Sequence, residues 1–195
     1  MLREKFHSQI QALLTPLIEF LNQKGITPNQ LTVTGLALNF IAGLIYASGN
    51  FILGGLMVIV AAMGDMLDGP LARVTGKTTP FGAFLDSTVD RYSDFFIFGG
   101  AAFYFAKAGV WDFFILALGI LAGSFVTSYS KARAENLIKN CSVGFFERAE
   151  RIILFITGSI LPFLLPLILW VLFIGTNATA LQRILFTRKA LTEKQ

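Results

Sequence analysis

The sequence contains almost no cysteine: Cys141 is the only one among 195 residues. A chain with a single thiol cannot form an intramolecular disulfide, so disulfide-stabilised folds are excluded. One cysteine does not indicate a redox compartment, and we expect Cys141 to be an ordinary loop residue.

The sequence is also poor in charge. Charged residues make up 14% of the chain and hydrophobic residues 54%, whereas soluble domains carry about 25% charged residues. A soluble protein of this length could not bury so much apolar surface, and the mean hydropathy of +0.66 indicates that lipid solvates much of it. We therefore expect one all-α, polytopic membrane domain over residues 1–195, with no room for a second domain.

The N-terminal segment differs from the rest of the chain. Residues 2–23 place apolar side chains at helical spacing and interleave them with polar ones such as Arg3 and Lys5. This pattern is typical of a helix that lies in the membrane interface. The segment lacks the small-residue cleavage pattern of a secretory signal peptide. We expect residues 1–24 to form an amphipathic interfacial helix.

Six apolar segments follow, separated by polar or proline-containing turns. We predict that they form a bundle of six transmembrane helices over residues 31–189. The expected spans are residues 31–49, 51–73, 80–107, 110–135, 147–160 and 167–189.

Lysine and arginine are distributed unevenly across this arrangement. Lys107 is the only basic residue near the loops on one side; those flanking the other side are Arg3, Lys5, Lys24, Lys77, Lys139, Arg188, Lys189 and Lys194. Because cytoplasmic loops are rich in Lys and Arg, we expect a multi-pass protein of the plasma membrane with both termini cytoplasmic. This asymmetry and the attraction of anionic headgroups explain the pI near 9.4. A nucleic-acid partner is not expected.

Four aspartates interrupt the second and third apolar segments. Asp65 and Asp68 are three residues apart, and Asp86 and Asp90 are four apart. Each spacing puts both carboxylates on one helix face, and the short loop between the segments makes the two helices antiparallel neighbours. Carboxylates at this depth need a cationic partner, and Arg73 alone is too little. One or two divalent cations would suffice, and hard oxygen ligands select Mg²⁺, Mn²⁺ or Ca²⁺.

An alternative is that these aspartates are structural. Asp86 could cap a helix, and Asp65 could form a salt bridge with Arg73. Caps do not recur in this spacing on two adjacent hydrophobic segments, however, so the pattern favours one shared site.

The aspartates belong to a longer motif. With x for any residue, it reads Asp65-x2-Asp68-Gly69-x2-Ala72-Arg73-x8-Gly82-x3-Asp86-x3-Asp90. The motif resembles the signature of the CDP-alcohol phosphotransferase family, with every position filled and both gaps of the expected length. The layout of six spans after an interfacial helix is similar to the family along the remaining length.

The resemblance implies a transferase of phospholipid biosynthesis, in which an alcohol hydroxyl attacks the β-phosphorus of a CDP-linked lipid and CMP leaves. Asp65, Asp68 and Asp86 would bind two Mg²⁺ or Mn²⁺ ions. Asp90 would complete the metal site and act as the general base. A dinuclear site can hold a pyrophosphate and align attacking and leaving groups. The resemblance also implies a homodimer, with the active site on the cytoplasmic side.

The same resemblance indicates where the CDP-linked lipid binds. Gly69 and Arg73 would lie at the nucleotide, and Thr79 would contact the diphosphate. Asn29 and Thr32 match a Pro-Asn-x-x-Thr element that closes over the cytidine side. For Asn29, a helix cap is an equal alternative. Further along the third span, Asp94 is expected to pair with Arg91.

Basic residues in the later segments indicate the acceptor. A neutral alcohol would not need several cations at one cavity, whereas a phosphorylated one would. The stretches SYSKARAE and ERAER are similar to the branch that makes phosphatidylinositol phosphate from inositol phosphate. By that resemblance the acceptor phosphate is bound by Ser128, Lys131, Arg151 and Arg183. One departure is Ala149, where that branch often has proline. For Lys139 and Arg188 we expect ordinary flanking charge.

Other functions remain open at this stage. Within the family, glycerol 3-phosphate is a second phosphorylated acceptor, which would make the protein a phosphatidylglycerol phosphate synthase, and the donor lipid could carry acyl or ether chains. An intramembrane prenyltransferase would show two separate Asp-rich loops and more spans. A divalent-cation transporter would place carboxylates near the midplane of inverted halves, and the two halves of this chain do not resemble each other.

Overall fold

The computed structural model describes residues 15–193, and all regular structure in that part of the chain is helical. The α-helices there are α1 (residues 15–23), α2 (Pro28–Ala47), α3 (Phe51–Val74), α4 (Pro80–Lys107), α5 (Trp111–Glu135), α6 (Arg148–Ile160) and α7 (Leu165–Thr192). A 3₁₀ turn, Pro162–Leu164, joins α6 to α7. The all-α prediction is confirmed. Most of the predicted interfacial helix, residues 1–14, lies outside the described residues.

Side chains just ahead of the helices explain where they begin. Thr27 and Gln30 form a capping box: the Thr27 hydroxyl accepts from the Gln30 amide at 3.3 Å, and the Gln30 side chain accepts from the Thr27 amide at 2.8 Å. Such a pair satisfies two amides that have no partner within the helix. It starts α2 at Pro28, three residues before the predicted residue 31, and it shows that Thr27 rather than Asn29 is the cap.

The helix that carries the second aspartate pair begins in a similar way. The Thr79 hydroxyl accepts from the Gly82 amide at 3.0 Å, and Pro80 occupies the first helical position. Proline suits that position because its missing N–H has no partner there in any case. Asp86 therefore lies inside α4 and is not its cap.

The helices pack around one apolar core. α2 contacts α3 and α4, α5 contacts α4 and α7, and α6 contacts α3 and α7. Phe98, Phe155 and Leu169 are among the fully buried side chains at the centre. A buried hydrogen bond of 3.0 Å between the hydroxyls of Tyr46 and Ser159 links α2 to α6. These contacts bring the C-terminal ends of α3 and α5 close to the N-terminal ends of α4 and α6.

The outer surface of the bundle is apolar. Large hydrophobic side chains such as Leu44, Trp111 and Phe163 are more than half exposed. Four helical segments in the described part of the chain are long and apolar enough to cross a membrane: Pro28–Ala47, Phe51–Val74, Trp111–Glu135 and Pro162–Thr192. α4 is long enough as well, but its first half is charged, and α6 has only 13 residues.

Candidate active site

The two aspartate pairs meet between α3 and α4. Asp65 and Asp68 lie in the last turns of α3, and Asp86 and Asp90 lie in the first turns of α4. All four line one cavity of about 470 Å³, which we call the aspartate cavity. The apolar side chains of α6 cover its other side. The structure thus brings together the four carboxylates, but α3 and α4, which the sequence predicted to be direct neighbours, are joined mainly through α2, which packs against both.

A guanidinium lies among these carboxylates. Arg148, at the start of α6, places Nη1 2.6 Å from Asp90 Oδ1 and 3.6 Å from Asp65 Oδ2. Its Nε lies 3.6 Å from Asp94 Oδ1. Arg148 belongs to the ERAER stretch whose resemblance indicated the acceptor, and its contact with the aspartates was not predicted. The alternative prediction of a salt bridge between Asp65 and Arg73 is wrong, because Asp65 pairs with Arg148.

The chemistry of the aspartate cavity fits divalent cations. Its four carboxylates outnumber the one guanidinium among them, and carboxylate oxygens are the donors that Mg²⁺ and Mn²⁺ prefer. Thr32 Oγ1 donates a 2.8 Å hydrogen bond to Asp68 Oδ2 and orients that carboxylate. Among residues 15–193, no three His, Cys, Asp or Glu side chains already form a compact coordination sphere.

A second pocket adjoins the aspartate cavity at the ends of α2, α3 and α4. We call it the donor pocket. It has a volume of about 170 Å³ and contains all five residues predicted for the CDP-linked lipid, namely Asn29, Thr32, Gly69, Arg73 and Thr79. Asp68 and Asp86 line both the donor pocket and the aspartate cavity. The sequence analysis did not assign Lys77 and Thr78 to a site, but both line this pocket.

Two glycines leave room in the donor pocket. A Cβ on Gly82 would lie 3.2 Å from Thr79 Oγ1 and 3.5 Å from Asn29 Oδ1. A Cβ on Gly69 would meet only the Arg73 guanidinium, at 3.7 Å. A side chain at Gly82 would therefore crowd the polar groups that line the pocket, whereas Gly69 mainly leaves the pocket wall open to a ligand.

A third pocket opens on the other side of the aspartates, between α4, α5, α6 and α7. We call it the acceptor pocket. It has a volume of about 380 Å³ and contains all four residues predicted for the acceptor phosphate, namely Ser128, Lys131, Arg151 and Arg183. Asp90 and Arg148 line both this pocket and the aspartate cavity.

Internal partners hold the cations of the acceptor pocket. Arg183 is buried and donates to the carbonyl oxygens of Val143 and Thr127, at 2.9 and 2.8 Å, and to Glu147 Oε1 at 2.9 Å. Lys131 Nζ donates to the same Glu147 oxygen at 3.2 Å. The Lys131 hydrogen bond, together with the charges of Lys131 and Arg183, lowers the pKa of Glu147 despite its partial burial. Glu147 is thus an internal anion at the rim of this pocket, which the sequence analysis did not single out.

Asp94 has a different partner from the one predicted. Its Oδ2 accepts from Arg151 Nη2 at 2.9 Å, and both side chains are almost fully buried. Arg91 instead lies 3.4 Å from Asp90. The predicted pairing of Asp94 with Arg91 is wrong, because Asp94 faces α6, where Arg151 is equally shielded from solvent.

A model of the CDP-alcohol phosphatidyltransferase family matches residues 25–187. The chain belongs to this family and is a transferase, which confirms the resemblance seen in the motif. It is 36% identical to a phosphatidylinositol phosphate synthase of Streptomyces avermitilis, covering 93% of this chain and 80% of that one. It is 37% identical to an archaetidylinositol phosphate synthase of Pyrococcus horikoshii, covering 92% and 97%.

Solved structures show the same relationship. The crystal structure of Mycobacterium tuberculosis phosphatidylinositol phosphate synthase with CDP-DAG bound superposes with a TM-score of 0.85 at 33% identity, covering 90% of this chain and 94% of that one. The same enzyme in complex with manganese and citrate gives a TM-score of 0.81 at 34% identity, covering 89% and 88%. The long apolar helices and the family together make this chain an integral membrane protein.

Proposed function

We propose that this protein transfers a phosphatidyl-type group from a CDP-linked lipid to inositol phosphate, which yields phosphatidylinositol phosphate and CMP. The observation that carries the proposal is the order of the three cavities. The donor pocket shares Asp68 and Asp86 with the aspartate cavity, which shares Asp90 and Arg148 with the acceptor pocket. A donor on one side and an acceptor on the other would meet at the carboxylates.

Each group of residues has a role in this reaction. Asp65, Asp68, Asp86 and Asp90 would hold two Mg²⁺ or Mn²⁺ ions, which would stabilise charge on the diphosphate and position it. Asp90 would accept the proton of the attacking hydroxyl, since it is the aspartate that also faces the acceptor pocket. The five residues of the donor pocket would bind the cytidine diphosphate.

The cations of the acceptor pocket favour a phosphorylated acceptor. Lys131, Arg151 and Arg183 converge there with Ser128, and Arg and Lys bind phosphate through charge-assisted hydrogen bonds. The names of the relatives favour inositol phosphate over the second candidate, glycerol 3-phosphate. Those names include both phosphatidyl and archaetidyl enzymes. We therefore propose a CDP-linked lipid as the donor, with either acyl or ether chains.

We also propose the membrane arrangement expected from the sequence: six spans, an interfacial N-terminal helix, both termini and the active site on the cytoplasmic side, and a homodimer. Support for six spans comes from the turns that separate α4 and α6 from the helices before and after them. α4 has 28 residues, enough to cross about 30 Å of hydrocarbon. Most of its charged side chains lie inside the bundle, since Asp86, Asp90 and Arg91 line the cavities and Asp94 is buried.

A panel of acceptors tests the proposed function. Purified protein in detergent receives CDP-diacylglycerol and either inositol 1-phosphate, inositol, glycerol 3-phosphate or serine, and CMP release is measured with Mg²⁺, with Mn²⁺ and with EDTA. We expect release with inositol 1-phosphate and a divalent cation. Release with glycerol 3-phosphate alone would support the second candidate, and release with neutral acceptors alone would contradict the phosphate pocket.

A further inference from the structure

Arg148 stands between two sites that bind opposite charges. Its side chain lines the aspartate cavity and the acceptor pocket, and it is about one quarter exposed. Only Asp90 shares this position among the residues that line the two cavities. A single guanidinium here can neutralise carboxylates on one side or a phosphate on the other.

The contacts of Arg148 with the carboxylates overlap with those of a metal. Its Nη1 is 2.6 Å from Asp90 Oδ1 and 3.6 Å from Asp65 Oδ2. A divalent cation bound to these oxygens would repel a guanidinium at that distance, because like charges at a few ångströms cost several kcal/mol in a partly buried site. Metal and Arg148 therefore compete for the same oxygens.

The remaining contacts of Arg148 are loose. Its Nε is 3.6 Å from Asp94 Oδ1, and neither atom has a hydrogen-bond partner in the described part of the chain, although both are buried. The neighbouring Arg151 is held differently, at 2.9 Å from Asp94 and 3.0 Å from the Phe146 carbonyl. Arg148 thus has one short contact, with Asp90, whereas Arg151 has two, with Asp94 and with the Phe146 carbonyl.

The acceptor pocket lies on the other side of the same side chain. The preceding residue, Glu147, pairs with Lys131 and Arg183 through one oxygen. This pairing offsets part of the positive charge that would attract a phosphate. A guanidinium released from the aspartates would add one positive charge to the acceptor pocket.

We propose that Arg148 couples the two sites: it pairs with Asp65 and Asp90 in the metal-free protein and moves to the acceptor's phosphate when divalent cations bind. Arg148 is then a positioning residue that favours binding of metal before acceptor. The proposal rests on the proposed function, because it needs both a metal and a phosphorylated acceptor. By linkage, each ligand raises the affinity for the other by the same factor.

Manganese binding tests the proposal without turnover. Full-length protein in detergent, without donor lipid, is titrated with Mn²⁺, and free Mn²⁺ is followed by electron paramagnetic resonance with and without inositol 1-phosphate. In the wild type we expect the acceptor to tighten Mn²⁺ binding about tenfold, within the usual range of coupling between sites. A parallel series with glycerol 3-phosphate covers the second candidate acceptor.

Arg148→Gln is the decisive variant. The variant removes the guanidinium that competes with the metal, so we expect tighter Mn²⁺ binding in the absence of acceptor. It also removes the cation that would move to the acceptor's phosphate. The effect of the acceptor on Mn²⁺ affinity should therefore fall to about twofold or less. Arg148→Lys keeps the charge and should retain part of the coupling. Arg133→Gln, a change at an exposed arginine of α5 away from the three cavities, should behave as the wild type.

The outcomes separate the two proposals. Coupling in Arg148→Gln as strong as in the wild type, or a wild type that binds both ligands independently, would overturn the role of Arg148 alone. A wild type that binds no Mn²⁺, or whose Mn²⁺ affinity and melting temperature respond to neither phosphorylated alcohol, would overturn the proposed function as well. A melting temperature close to that of the wild type shows that a variant is folded. If Arg148→Gln is not folded, Arg148→Lys tests the proposal instead, because the acceptor should change its Mn²⁺ affinity less than in the wild type.

Discussion

Asp90 is the residue at which the two proposed substrates would meet. It is the one aspartate of the motif that lines the acceptor pocket as well as the aspartate cavity. Its two oxygens face Arg148 and Arg91 at 2.6 and 3.4 Å. A carboxylate in this position can bind a metal through one oxygen and accept a proton through the other.

Asp90→Asn should abolish turnover. The amide keeps the shape of the side chain but cannot accept the hydroxyl proton, so we expect CMP release to fall at least about 100-fold, the usual range for loss of a general base. Binding of the CDP-linked lipid, measured separately with radiolabelled donor, should change little. Asp112→Asn, at an exposed aspartate in the first turn of α5, is the matched control and should turn over normally. Normal turnover by Asp90→Asn would show that Asp90 is not the general base.

Lys131 is the most exposed of the cations predicted to bind the acceptor phosphate. Its only hydrogen bond among the described residues is the 3.2 Å contact with Glu147, whereas Arg151 and Arg183 also donate to backbone carbonyls. The two arginines therefore support the loop before α6 as well as the pocket. Lys131 can be changed with less effect on the fold.

Lys131→Ala should raise the KM for the acceptor about tenfold or more and leave the KM for the donor lipid nearly unchanged, because one charge-assisted contact with phosphate contributes on the order of 1.5–3 kcal/mol. Steady-state CMP release at varied acceptor and donor concentrations gives both constants. Arg133→Ala, two residues along α5, controls for loss of charge near the membrane surface. An unchanged acceptor KM would place Lys131 outside the pocket.

At the scale of the elements, α2 and α4 pack closely against each other. The backbones of Gly43 and Gly100 touch at this crossing, so that a Cβ on Gly100 would overlap the Gly43 carbonyl. Small residues allow such close approach between membrane helices. A buried hydrogen bond of 3.1 Å from Asn39 to Ser93 links the same two helices nearer the site.

Gly100→Ala should destabilise the protein by about 1–3 kcal/mol, because an added methyl group has to push two backbones apart. Gly99→Ala is the matched control, since a Cβ there would meet nothing within 4 Å. Thermal unfolding of both variants in the same detergent measures the difference. Equal melting temperatures would show that the crossing is not a close contact between the two helices.

At the scale of the whole molecule, the number of spans decides on which side each loop lies. Cys141 lies in the loop between α5 and α6, as the sequence predicted, but it is fully buried against Ala134 and Ile138. Replacing it by serine gives a background without cysteine. Single cysteines can then report the side of each loop.

We expect Ala108→Cys and Phe163→Cys to react with a membrane-impermeant maleimide from outside the cell, and Lys139→Cys to react only in inverted membrane vesicles. All three positions are exposed. Ala108 and Lys139 lie at opposite ends of α5, and Phe163 follows α6. Labelling of Phe163→Cys from the same side as Lys139→Cys would mean that α6 does not cross the membrane and that six spans are wrong.

Much of this protein is determined by local sequence. Apolar segments and capping residues such as Thr27 and Thr79 define where helices begin, because each cap acts within three residues of its own position. The spacing of the aspartates places them on one face of each helix. The motif and its resemblance to the family also grouped the residues proposed to bind donor and acceptor, and the structure places each group in one pocket.

Which charges meet depends on how the helices pack. Arg148 pairs with Asp65 and Asp90, and Arg151 pairs with Asp94 across 57 residues of sequence. Such pairs depend on the angle at which α6 packs against α3 and α4, which no periodicity within one helix specifies. The order of residues along the chain is enough to specify that this membrane protein carries a cluster of carboxylates and a cluster of cations. The packing of the helices decided that one arginine stands between the two clusters, because charges in a poorly solvated interior must pair with whichever partner the fold brings within reach.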